Sequence, residues 1–166
     1  MEDITTIEID KESLKFSAAH FSIFSAEDRE RLHGHNFNVY LAITVPIGPN
    51  GMCFSYKKLK DKIRYECEKL DEYTLIASNS PHLKISEEGK YYAIEFNHET
   101  ILLLQSDTLL LPVRNTTVEE FAHYLLSQLL TDREFLTDYD VKSLRIKVSS
   151  GPGQSGSASW TKNFQS

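Results

Sequence analysis

The most regular stretch of the chain alternates strictly between apolar and polar positions. His33, His35, Phe37, Val39, Leu41, Ile43 and Val45 share one face, and Asn36, Asn38, Tyr40 and Thr44 lie on the other. A period of two is that of a strand with one buried face. Leu14, Phe16, Ala18 and His20 alternate in the same way with Lys15, Ser17 and Ala19, so the chain from Ile7 to His20 is expected to be extended. The polar run Ser25 to Arg31 between them reads as a loop, and Pro46 to Gly51 is dense in turn residues. The period then changes. Tyr56, Leu59, Ile63, Cys67 and Leu70 recur at helical spacing, with Ser55 placed to cap the first turn. Thr117-x-x-Glu120 reads as a capping box opening a second helix, whose apolar stripe is Val118, Phe121, Ala122, Leu125, Leu126 and Leu129. Leu144, Ile146 and Val148 alternate with Arg145 and Lys147, and the Gly151-Pro152-Gly153 turn leads to a last short strand around Ser157 to Trp160.

Between the helices, Tyr91 to Phe96 and Ile101 to Leu104 are short β-like runs. Glu87-Glu88-Gly89-Lys90 and Asn97-His98-Glu99-Thr100 separate them as hairpin loops, so residues 78–113 read as a small β insertion. Without it the order is strand, strand, helix, helix, strand, strand. That pattern predicts an α+β fold, an antiparallel sheet with two helices layered on one face. With no repeat and no linker, residues 1–166 are expected to form a single domain.

Composition narrows the class of function. With Lys+Arg 18 against Asp+Glu 24 the net charge is −6, which argues against nucleic acid or an anionic membrane as partner. No apolar run is long enough to span a bilayer, and the acidic start Met1-Glu2-Asp3-Ile4 does not resemble a signal peptide. Two cysteines, Cys53 and Cys67, imply no disulfide framework. A soluble, cytoplasmic protein is expected.

The histidines carry the candidate chemistry. On a strand His33 and His35 point to the same side, and His20 ends the preceding strand where a short loop can bring it opposite them. Three neutral imidazoles converging from a hairpin suit a catalytic Zn2+, with water in the fourth position. The alternative is three ordinary histidines hydrogen-bonded at a loop edge. An iron site of the cupin type would want a carboxylate a few positions on, where Asn36 to Tyr40 stand instead. His82, His98 and His123 lack metal-like spacing and read as structural or surface residues.

Phe16-Ser17-Ala18-Ala19-His20 and Leu32-His33-Gly34-His35-Asn36-Phe37 resemble the two signature motifs of the 6-pyruvoyltetrahydropterin and 6-carboxytetrahydropterin synthases. Gly51-Met52-Cys53-Phe54-Ser55-Tyr56, Leu70-Asp71, Asn115-Thr116-Thr117-Val118-Glu119-Glu120 and Gly153-Gln154-Ser155 resemble further family segments, in family order. The resemblance implies a T-fold whose sheets close into barrels in trimers that stack as hexamers. It implies zinc on His20, His33 and His35. It also implies a pterin substrate, usually 7,8-dihydroneopterin triphosphate, whose triphosphate is eliminated or whose side chain is cleaved.

The resemblance breaks at three places. The family's usual cysteine base is replaced by Arg29, and Cys53 and Cys67 read as packing residues. Glu30, three residues before His33, matches a branch that has glutamate as base and shares the long insertion; read alone, it is one charge in a solvated run. The Leu-Asp-His motif stands here as Leu70-Asp71-Glu72, leaving Asp71 and Glu72 as candidates for proton relay. The glutamate that anchors the pterin falls at Ser150, with Gln154 and Thr117 as further candidate substrate contacts. These departures predict weak pyruvoyl- or carboxy-tetrahydropterin synthesis. They leave open a diverged T-fold zinc protein with another small ligand, or one without catalysis.

Overall fold

The computed structural model describes residues 3–163. Met1 and Glu2, part of the acidic start on which the signal-peptide expectation rests, therefore lie outside the described residues. Strands β1 (Ile4–His20) and β2 (His33–Pro46) form a long antiparallel hairpin. Helix α1 (Tyr56–Glu68) and strand β3 (Tyr73–Ala77) follow. Strands β4 (Lys84–Glu88), β5 (Tyr91–Phe96) and β6 (Glu99–Leu104) make a separate three-stranded sheet. Strand β7 (Thr108–Leu111), helices α2 (Val118–Leu130) and α3 (Arg133–Asp138), and strands β8 (Ser143–Gly151) and β9 (Gln154–Thr161) complete the chain. The architecture is α+β, as the hydrophobic periodicity predicts.

The main sheet has six strands in the order β7-β3-β1-β2-β8-β9. Its four long strands are antiparallel, as expected. The two added at the β1 edge are parallel: Ala18 pairs with Tyr73, and Thr74 to Ala77 run beside Thr108 to Leu111. The sequence reading missed β3 and β7 because each is a short apolar run without alternation, abutting a helix or a hairpin, and it missed β4 because Glu87 and Glu88, which end that strand, read as part of a polar loop. It also missed the single-turn-and-a-half α3. The insertion is thus not wholly separate, since β7 from it belongs to the main sheet.

One side of the main sheet carries the core. Phe16 and Phe37 stack at 5.0 Å, and Phe121 from α2 meets both edge-on at 5.8 and 5.1 Å. All three rings are fully buried, among the largest apolar areas the fold removes from water. Gly156 on β9 allows α2 to approach closely. A Cβ there would stand 2.6 Å from the Glu119 nitrogen and 2.8 Å from its Cα.

The β1–β2 ladder is interrupted. Asp10 pairs with Tyr40, but the next pair is Lys15 with Asn38. Lys11, Glu12 and Ser13 bulge into solvent, and the parity of the buried positions changes from Ile9 to Leu14.

Capping differs in detail from expectation. Ser55 occupies the N-cap of α1 but its side chain makes no capping bond. Thr117 does cap α2, accepting from the Glu120 N–H at 3.4 Å. Glu120 does not reach back to Thr117; its carboxylate takes the Arg114 N–H at 2.9 Å and the guanidinium of the same residue. The cationic side chain outcompetes the backbone donor because a charge-assisted pair is the stronger bond.

Candidate metal centre and its cavity

The β1–β2 pairing sets His20 directly opposite His33, and Ala18 opposite His35. The three rings lie 4.7, 5.3 and 4.8 Å apart between centroids. One nitrogen of each falls within 4.8 Å of the others. His33 Nε2 and His35 Nε2 are 3.0 Å apart, near the roughly 3.3 Å edge of a tetrahedron with 2.0–2.1 Å zinc bonds.

Two rings are oriented by backbone carbonyls. His20 Nδ1 lies 2.7 Å from the Thr116 carbonyl, and His33 Nδ1 lies 2.7 Å from that of Arg31. A carbonyl accepts only, so in each ring Nδ1 carries the hydrogen and Nε2 turns a lone pair inward. His20 is buried, and its Nε2 has no hydrogen-bond partner. An orphaned imidazole nitrogen beside two others fits a metal ion, because burial without a partner is otherwise costly. Burial also pushes the His20 pKa down, assisted by the neighbouring imidazoles and opposed by the Thr116 bond, so the neutral ligand form is favoured.

Glu30 stands at the rim. Its Oε2 lies 3.9 Å from His33 Nε2 and accepts the Ser22 N–H at 2.8 Å, while the Glu30 N–H donates to the Ser22 carbonyl at 2.8 Å. Burial works against its charged form, but the Ser22 bonds and the histidines outweigh it and hold the carboxyl below its ordinary pKa. The group is ionised at neutral pH. The segment before α2 clamps this loop: Asn115 exchanges hydrogen bonds with the Ile23 backbone at 3.0 and 2.8 Å, and the Thr116 hydroxyl donates to the Phe21 carbonyl at 2.7 Å.

A cavity of about 250 Å³ opens on the centre, lined by His20, Glu30, His35, Thr117, Ser150 and Gln154. All six come from the set the sequence singled out. Gln154 donates from Nε2 to the Ser150 hydroxyl at 3.1 Å. Its amide oxygen faces no partner among the described residues.

Asp71 and Glu72 are placed elsewhere. Asp71 Oδ1 accepts the Ser17 N–H at 2.7 Å, and the Glu72 N–H donates to the Ser17 carbonyl at 2.7 Å. Glu72 lines a second cavity of about 500 Å³ with Asn36 and Asp107; His35 borders both cavities. Within one chain these two acids do not join Glu30. Glu72 also adopts a left-handed backbone, φ 64°, a strained conformation for a residue of its type.

Cys67 is buried, and its thiol is pushed up to about 12, first by burial and then by the acids around it. It serves packing, as does the half-buried Cys53 against the main core. His82, His98 and His123 lie outside the histidine cluster.

The sequence reading missed Glu119. Glu119 is among the residues lining the histidine cavity, and its carboxylate makes no hydrogen bond among the described residues. The available signal was its place in the first turn of α2, two residues past a Thr that was itself a candidate contact.

The family model described as 6-pyruvoyl tetrahydropterin synthase matches residues 8–159. The chain belongs to this family. A crystal structure of 6-pyruvoyl tetrahydropterin synthase from Plasmodium vivax superposes with a TM-score of 0.92 at 28% identity, covering 97% of this chain and 100% of that one. The fold of this chain is therefore the T-fold of those synthases. A variant of the P. vivax protein, at 27% identity, TM-score 0.92 and coverage of 97% and 100%, replaces a glutamate described as a catalytic residue by alanine. A putative 6-carboxy-5,6,7,8-tetrahydropterin synthase from Methanocaldococcus jannaschii is 22% identical over 85% of this chain and 86% of its own length.

Proposed function

We propose that this chain is a zinc-dependent lyase acting on 7,8-dihydroneopterin triphosphate or a closely related pterin. The observation that carries the reading is the buried, partnerless Nε2 of His20 converging with His33 and His35. Those three residues would hold the zinc, which when bound supplies Lewis-acid polarisation of substrate oxygens. Glu30 acts as base: it is ionised, its Oε2 is anchored on Ser22, and its Oε1 is left to take a proton from the substrate side chain. A glutamate described as catalytic in the P. vivax synthase supports that role. Thr117, Ser150 and Gln154 surround the ring-binding end of the cavity. Glu119 there supplies the carboxylate that Ser150 lacks, accepting from the pterin amino and ring NH groups. Asp71 and Glu72 complete proton relay only if a neighbouring chain brings its own pair to the cavity, which a hexamer built as a dimer of trimers would allow. One domain over residues 1–166 and a cytoplasmic location fit β7 joining the main sheet and the two free thiols.

A second reading keeps zinc but assigns a different small heterocycle. Ser150 favours it, since a hydroxyl already bonded to Gln154 cannot make the paired contacts of a carboxylate.

Incubation of zinc-loaded protein with 7,8-dihydroneopterin triphosphate, with products read by mass spectrometry, separates the two. Triphosphate elimination or side-chain cleavage is expected. Glu30→Gln is expected to lower turnover by about 10²-fold or more while zinc content stays the same. A metal-loaded protein that leaves the pterin untouched supports the second reading, and a protein that binds no zinc overturns both.

A further inference from the structure

We propose that Arg29 is a positioning residue for Glu30, and that through it the sheet β4–β6 holds the catalytic loop in place; this rests on the reading of Glu30 as the base. The Arg29 guanidinium lies between two aromatic faces, its carbon 4.9 Å from the Phe21 ring centroid and 5.6 Å from that of Phe96. Its Nη1 donates to the Glu30 carbonyl at 2.8 Å. Among the described residues no carboxylate pairs with it, so its charge is satisfied by two ring faces and one peptide oxygen. A planar cation suits that task better than an ammonium, because it stacks and donates in the same plane.

The two rings belong to different parts of the fold. Phe21 follows the metal ligand His20, and its carbonyl is tied to Thr116. Phe96 ends β5 in the three-stranded sheet, and both rings sit in a second apolar cluster with Ile23, Ile76 and Ile94. Arg29 therefore bridges that sheet to the loop. Its effect reaches two functional groups. The Glu30 peptide is fixed by Arg29 on its carbonyl and by Ser22 on its N–H, and the next carbonyl, that of Arg31, orients His33. Without the guanidinium the 30–31 peptide is free to turn, and the carboxylate loses its aim. Misplacing a reacting group by about 1 Å is enough to lower rate by up to 10²-fold.

The test uses the full-length zinc-loaded protein. Arg29→Met is expected to lower kcat about tenfold with KM changed less than about twofold and zinc content unchanged. Arg29→Lys is expected to recover part of the loss. Phe96→Leu is expected to lower kcat in the same direction, and the Arg29→Met/Phe96→Leu double variant to be no slower than Arg29→Met alone, since both act through one contact. Amide hydrogen exchange gives a readout that needs no turnover: the Ser22 and Glu30 amides are expected to exchange about tenfold faster in Arg29→Met, with β2 and α2 unaffected. A rise in KM with kcat kept, or additive losses in the double variant, would show that Arg29 acts on substrate or on folding instead. Unchanged exchange at Ser22 and Glu30 would overturn the proposal outright. If the wild type turns over no pterin, the reading of the reaction fails, and the exchange measurements alone decide the role of Arg29.

Discussion

Glu119 and Ser150 face one cavity with opposite capacities, a carboxylate without a partner and a hydroxyl already bonded. If Glu119 anchors the pterin donors, Glu119→Gln is expected to raise KM for the pterin roughly tenfold with kcat little changed, since a charge-assisted contact is worth about 1.5–3 kcal/mol. Adding Ser150→Glu in that background is expected to restore KM; steady-state kinetics on the four proteins of this cycle checks both. Cys67 gives the opposite kind of prediction. With its thiol raised to about 12 and fully packed, it is expected to resist alkylation by iodoacetamide at about pH 8 in the native protein. Cys67→Ala is expected to cost about 1–2 kcal/mol in denaturant unfolding and to leave kcat unaltered. The histidine triad was legible in sequence because strand periodicity is a strong signal and three imidazoles at one strand end are rare. Glu119 was not, because an acid in the first turn of a helix has an ordinary electrostatic explanation.

At the scale of elements, one junction seats a helix on the sheet and another ties two helices together. Gly156→Ala places a methyl against the Glu119 and Val118 backbone, which has no flexible end to move aside. It is expected to destabilise the protein by about 2 kcal/mol or more and to disturb the cavity, measured as a lower urea midpoint and a higher KM. The second junction joins α1 to α3. Asp132 caps α3 by accepting the Phe135 N–H at 2.9 Å and pairs with Lys62 of α1. The Lys62 bond, and then the helix N–H, hold its carboxyl below the ordinary value of 3.8. A depressed pKa means that the folded form favours the anion, so this stabilisation is present above 3.8 and is lost as pH falls below it. Asp132→Asn keeps a cap and removes the ion pair. Its Tm is expected to lie below that of the wild type at about pH 6, with the gap narrowing as pH falls below 3.8. The long strands and both main helices were readable from their periods. β3, β7 and α3 were not: the two strands are apolar runs of five and four residues without alternation, and a six-residue helix is too short for an apolar stripe to recur.

For the whole molecule, the open main sheet leaves β7 and β9 as edges with no further strand beside them among the described residues. Such edges recruit further strands unless something covers them. The protein is expected to be larger than a monomer at micromolar concentration, and a hexamer by multi-angle light scattering; a monomer would leave the proposed relay through Asp71 and Glu72 without its neighbour. Among the described residues no helix is long and apolar enough to cross a membrane. The α+β order was legible because its layers follow from alternating and helical faces, whereas the junction of the insertion with the main sheet depends on parallel pairing between distant segments, which leaves no local mark. The bulge at Lys11, Glu12 and Ser13 has a consequence for tolerance to change. It works as a phase slip: pairing upstream of it is out of step with pairing downstream. A register error that begins near Ile4 would be absorbed in those solvent-facing residues before it reached His20. The outer half of the hairpin is thereby insulated from the inner half, and can accept insertions and deletions that the histidine end could not.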